Sequence, residues 1–108
     1  VIEPQEITKS ARLAQLIRLY ESGQVSELME RTLAKLLSTE AAETRELVET
    51  LHADLAEFEG KYGMPSSLFY DRFQKGELGD RMEYVEWASL YRMAARAGKR
   101  LELLTEVE

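Results

Sequence analysis

Glu43 with Glu46, and Asp54 with Glu57, stand three residues apart, the spacing that sets two carboxylates side by side on a helix. Such a pair can hold a hard cation or divide acid and base duties between its members. His52 lies between the two pairs and is the only histidine. With no second histidine and no cysteine, a metal would rest on carboxylates alone, and His52 reads as a surface or seam-flanking side chain. A glutamate-rich helix produces acid pairs by default, so neither pair marks a catalytic or metal centre. Gly76-Glu77-Leu78-Gly79-Asp80 is glycine-rich ahead of a helix, in the manner of an anion cradle, but its two acids would repel phosphate. A turn followed by an N-cap accounts for each of its residues. The sequence therefore predicts no enzyme and no cofactor.

The elements that position these residues begin with Ser26 to Tyr62, which Gly and Pro leave uninterrupted until Gly60. We read it as one long helix of about 37 residues, roughly 55 Å of rod. From Leu37 onward its apolar residues fall into heptads, with Leu37, Thr44, Leu51 and Phe58 at d and Ala41, Val48, Leu55 and Tyr62 at a. A rod of that length exceeds what a chain of 108 residues can cover, so part of the seam is expected to meet a partner. Ser38-Thr39 is the place where the rod could kink.

The single helical domain, residues 1–108, divides into three stretches. Residues 1–24 give an arm with Pro4 over Val1 to Ile7, frayed or at most a short edge strand. A helix then follows, capped by Thr8 or Ser10, with Leu13, Leu16, Ile17 and Tyr20 on one stripe and a stop at Ser22-Gly23. Residues 25–62 form the long helix, capped by Ser26. Residues 63–108 turn at Gly63-Met64-Pro65, start a short aromatic helix at Ser66 or Ser67, turn again, and enter a last helix through an Asp80/Glu83 capping box. That helix should fold back along the rod, with Tyr84, Trp87, Tyr91, Ala94, Gly98 and Leu101 inward. The whole is all-α, a long central helix with an N-terminal helix and a C-terminal helical hairpin packed back on it.

Charge is distributed unevenly. Of a net −6, Val1 to Gln24 carries none, Val25 to Tyr62 has nine acidic against four basic residues, and Gly63 to Glu108 has eight against seven. An acidic rod is unsuited to nucleic acid, whose phosphates need lysine and arginine, but suits a basic protein. The plainer reading is that glutamate is a good surface residue on long helices. Arg92, Arg96, Lys99 and Arg100 form a basic stripe that the helix dipole and the nearby acidic rod would occupy. No apolar run approaches a membrane span, and neither a signal peptide nor a disulfide framework is visible, so a cytoplasmic protein without membrane contact is expected.

The aromatic residues Phe69, Tyr70, Phe73, Tyr84, Trp87 and Tyr91 crowd the last stretch. In a small chain such rings are first of all a core, yet Trp and Tyr are also frequent interface anchors. Trp87 is expected inside, and Tyr70 and Tyr91 toward a partner. The candidate partner-binding residues are accordingly Leu51, Leu55 and Phe58 on the seam, Phe69, Tyr70, Phe73, Trp87 and Tyr91, and the acidic Glu43, Glu46 and Glu49.

Lys61-Tyr62-Gly63-Met64, Phe69-Tyr70-Asp71-Arg72-Phe73, Gly76-Glu77-Leu78-Gly79-Asp80 and Met82-Glu83-Tyr84-Val85-Glu86-Trp87-Ala88-Ser89-Leu90-Tyr91 together resemble a family of small helical prokaryotic proteins, common in cyanobacteria and archaea. Members look like antitoxins paired with TumE-type toxins. The resemblance covers Asp54 to about Leu104, and the Gly-Glu-Leu-Gly-Asp to Glu-x-Trp run is its specific part. Where members commonly carry a second acid after Gly-Asp, this chain has Arg81. The resemblance implies a non-enzymatic antitoxin that neutralises a cognate, RNA-acting toxin protein.

Ser26-Glu27-Leu28 with Leu33 and Leu36-Leu37 also resembles the second helix of ribbon-helix-helix antitoxins. Val1 to Ile7 lacks the alternating basic residues with which such a ribbon reads the major groove, so DNA binding is expected only as part of a complex. The alternative reading is a homo-oligomeric helical scaffold or DNA-binding regulator, a homodimer whose seam pairs with itself through Leu51, Leu55 and Phe58.

Overall fold

Four helices account for nearly the whole chain: α1 (Pro4–Glu21), α2 (Glu27–Tyr62), α3 (Ser66–Gln74) and α4 (Met82–Thr105). The computed structural model describes residues 4–106, with side chains from Lys9 onward, and has no strand among them. The protein is all-α, as its periodicity indicates. It divides into two compact units, Val1–Leu36 and Leu37–Glu108, with the division inside α2.

In the first unit α1 starts at Pro4, whose fixed φ and missing N–H suit a first helical turn. The arm expected over Val1 to Ile7 is thus helix from Pro4 on, and its first three residues lie outside the described ones. Thr8 and Ser10, expected as caps, fall inside α1. The helix ends where Gly23 takes a φ of 67°, with Gln24 N–H donating to Leu19 O at 2.9 Å and Gly23 N–H to Tyr20 O at 3.2 Å. This paired closure of the last carbonyls needs a left-handed residue, which glycine supplies without strain. Ser26 then caps α2 as the sequence indicates, its Oγ accepting from Met29 N–H at 3.1 Å. Leu16, Leu19, Met29 and Leu33 are half-buried. The phenol of Tyr20 is pushed up, first by hydrogen bonding to Glu30.

The second unit holds the core. Ser38 and Thr39 lie within unbroken helix. On α2, Ala41, Thr44, Leu51 and Leu55 are buried, and Val48, Phe58 and Tyr62 are half-buried, so the heptad seam is the buried face from Ala41 to Tyr62. Leu37, the first d position, is exposed. As expected of a last helix that folds back along the rod, α3 and α4 of the same chain cover the seam from Ala41 on, and Leu37 stays outside that cover. The cover runs antiparallel: Arg100 Nη2 of α4 meets Glu40 Oε2 at 2.6 Å, and Lys61 Nζ of α2 meets Glu83 Oε1 at 2.7 Å at the opposite end. Both pairs are largely exposed and contribute little stability, but they report the direction of packing.

Trp87 occupies the centre with no exposed surface. Its indole stacks on Phe69 at a centroid distance of 3.8 Å, on Phe58 at 5.4 Å and on Tyr62 at 5.5 Å. One ring from α4 thereby joins α2 to α3, and burial of each such side chain is worth about 1.5–3 kcal/mol. Ala88, Ala94 and Ala97 complete the buried face of α4, where their small side chains admit close packing.

Two expected caps are replaced by tertiary contacts. The N-cap of α3 is Pro65, without a side-chain bond. Ser66 is buried instead, its N–H donating to Glu59 Oε2 at 2.8 Å and its Oγ accepting from Trp87 Nε1 at 2.9 Å. The N-cap of α4 is Arg81, so the Asp80/Glu83 box does not form. Glu83 turns to Lys61 and accepts from the Tyr62 hydroxyl, an arrangement that serves α2 as well as α4. Gly76, at φ 75°, closes α3 through the same paired carbonyl bonds seen at Gly23.

Candidate functional site

Four of the residues singled out for partner binding lie inside the molecule. Leu51, Leu55, Phe69 and Trp87 are buried, so what they can give a partner is the shape of the surface above them. A homodimer through Leu51 and Leu55 would have to open the core. Phe58 and Phe73 are half-buried, packed on Trp87 and Phe69 respectively. Among the six clustered aromatics, Trp87 is core as expected.

Tyr70 and Tyr91 are both half-buried and meet each other. Tyr70 leaves α3 to one side of the Phe69–Phe73 face and stacks on Tyr91 of α4 at 4.7 Å between centroids. Gln74 Nε2 donates to the Tyr70 hydroxyl at 2.7 Å, which fixes the ring's outer edge. The Arg92 guanidinium lies 5.9 Å from the Tyr70 centroid, within reach of its π face. With Ala95 and Arg96 these residues line an open hollow of about 340 Å³. Arg92, Arg96 and Lys99 form no ion pair among the described residues, while Arg100 is taken by Glu40 and lies 3.4 Å from Thr44 Oγ1. The basic stripe, expected to be absorbed by the rod, is absorbed at its last member alone.

The meeting of Tyr70 and Tyr91 with Arg92 and Arg96 was not legible in the sequence. The available signal was Tyr91, Ala95 and Arg92 on adjoining turns of α4, the small Ala95 leaving room beside the ring. A second hollow, between α2 and α4, is lined by Leu47, Met93, Arg96 and Arg100, and Leu47 and Met93 are exposed. Neither residue stood out in the sequence, because both fall off the regular seam.

Glu43, Glu46 and Glu49 are exposed and project from the side of α2 opposite the buried Ala41, Thr44, Leu51 and Leu55. None is in an ion pair among the described residues. They form a ladder of carboxylates one turn apart. His52 is exposed, as are Glu57 and its neighbour Ala56, whereas Asp54 is half-buried. No group of three or more metal-ligating side chains occurs among the described residues. No helix there is long and apolar enough to cross a membrane.

Comparison with protein-family models, with curated proteins and with solved structures finds no significant match to this chain. Function must therefore be argued from the surfaces themselves.

Proposed function

We propose that this chain is a non-enzymatic antitoxin that binds and neutralises a cognate toxin protein, one that acts on RNA. The observation that carries the reading is the ladder of Glu43, Glu46 and Glu49, three exposed carboxylates that form no ion pair among the described residues. A protein that handles RNA presents a basic surface, and an acidic helix face steers toward it and competes with the nucleic acid for the same cations. The resemblance of Asp54 to Leu104 to antitoxins of TumE-type toxins points the same way. The Tyr70–Tyr91 pair beside Arg92 and Arg96 offers aromatic anchoring of the kind interfaces favour. Any contact with DNA belongs to the toxin-bound complex.

The test is co-expression with the product of the adjacent gene. A stable complex in which that product's toxicity is silenced supports the reading, whereas two proteins that elute separately with toxicity intact refute it.

A further inference from the structure

The hollow between α2 and α4, about 240 Å³, lies wholly within the second unit. Its floor is Leu51 and Ala97, both buried, and its rims are Leu47 of α2 and Met93 of α4, which are 47% and 40% exposed. Charge borders this apolar strip differently on its two sides. On α2, Glu43 stands one turn from Leu47 on the same side of the helix, while Arg45, the one Lys or Arg between Leu37 and Gly60, is two residues from Leu47 and faces away. On α4, Arg96 lines the hollow beside Met93, and no acidic residue occurs between Trp87 and Leu101. Glu40 and Arg100 pair across one end of the hollow, but Glu43 and Arg96 form no ion pair among the described residues. One rim is thus acidic and the other basic.

Such a pattern is complementary to itself. A two-fold axis parallel to the helices exchanges the rims, so the acidic rim of each chain faces the basic rim of the other. An axis across the helices would set acid against acid. The antiparallel register of α2 and α4, fixed by Glu40 with Arg100 at one end and Lys61 with Glu83 at the other, puts Leu47 near the level of Met93 and Glu43 between Arg96 and Lys99. The same exchange therefore carries Leu47 onto Met93. Any other occupant would need acidic, apolar and basic rows in this register, whereas a second copy supplies them by symmetry. We propose that the strip is a homodimer contact, with Leu47 on Met93 and Glu43 on Arg96, each made twice. The inference does not rest on the antitoxin reading, but Glu43 belongs to the ladder which that reading assigns to the toxin, so the second copy and the toxin compete for it.

Sedimentation of the full chain at low and high salt tests this. The expected result is a weak dimer that dissociates as salt rises, because its rims are exposed charges. Glu43→Lys alone and Arg96→Glu alone should each weaken it roughly tenfold or more, since like charges then meet twice. Mixed in equal amounts, the two variants should pair with each other at wild-type strength, a recovery that reciprocal contacts give and a folding defect does not. Leu47→Asp should abolish the dimer with little change in the helical melting of the dilute chain, its side chain being half in water already. A wild-type chain that stays monomeric at low salt, single variants that dimerise unimpaired, or a mixture that fails to recover overturns the proposal. A chain that silences the toxin yet never dimerises would refute this inference alone, and a dimer without effect on the toxin would refute the proposed function alone.

Discussion

Trp87 Nε1 donates to Ser66 Oγ at 2.9 Å, and both residues are buried, so the one indole N–H of the chain finds its acceptor on the first residue of α3. Ser66 in turn gives its own N–H to Glu59 of α2. Three helices thereby meet on one serine, whose hydroxyl and amide face different neighbours.

Ser66→Ala leaves the indole donor of Trp87 without an acceptor where water is excluded. We expect a loss of about 1–3 kcal/mol in denaturant unfolding. A double-mutant cycle with Trp87→Phe should show strong coupling; additive losses would mean that the bond carries no energy of its own.

Glu59→Ala removes the acceptor that stands in for an N-cap at the start of α3. A loss near 1 kcal/mol is expected, in the range of ordinary capping residues. Protection of the first amides of α3 against exchange should fall with it, while α4 keeps its own.

The caps show where sequence reasoning holds and where it stops. Ser26 was legible because its bond to Met29 is local, set by neighbours three residues away. Ser66 and Asp80 were misread because each stood beside a stronger, distant claim: Trp87 took the Ser66 hydroxyl, and Lys61 and Tyr62 drew Glu83 away from a capping role. The heptad of α2 gave the buried face correctly from Ala41 to Tyr62. The helix that covers that face is the chain's own α4, the one whose apolar stripe was expected to fold back along the rod. The stacking of Tyr70 on Tyr91 depends on how α3 leans on α4, which no spacing within either helix encodes.

Leu55→Ala should cost about 2–5 kcal/mol, since it empties space beneath a packed aromatic layer. Leu51→Asp should be worse, an uncompensated charge in that interior, and should abolish cooperative unfolding of Leu37–Glu108. A mild effect from either change would mean that the seam is less tightly packed than its burial indicates.

Changing Glu43, Glu46 and Glu49 together to lysine should leave stability nearly intact, with each site contributing about 0.5 kcal/mol or less. Association with a basic toxin should slow markedly at low salt, and the difference from wild type should shrink as salt rises. Unchanged association kinetics would assign the ladder to solvent and move the interface to Tyr70 and Tyr91.

Lys75 Nζ lies 3.0 Å from Asp71 Oδ2, and the hydrogen bond to Asp71, then its charge, holds the lysine above its ordinary range. A raised value in the folded state gives stability that is present below the unfolded lysine value and is lost as pH rises through the folded one. Both side chains are exposed, so the effect on unfolding is small, and the direct measure is the NMR titration of Lys75. Asp71→Asn should bring its midpoint down; an unmoved midpoint would exclude Asp71 as the cause.

Trp87, the only tryptophan, stacks on Phe69, Phe58 and Tyr62, all within Leu37–Glu108. Its fluorescence is consequently a private signal of that unit and carries no word of α1. Far-ultraviolet dichroism counts every helix alike. A change that unravels α1 alone should lower the ellipticity while the emission maximum of Trp87 stands still, so fluorescence followed by itself would miss the loss of that helix.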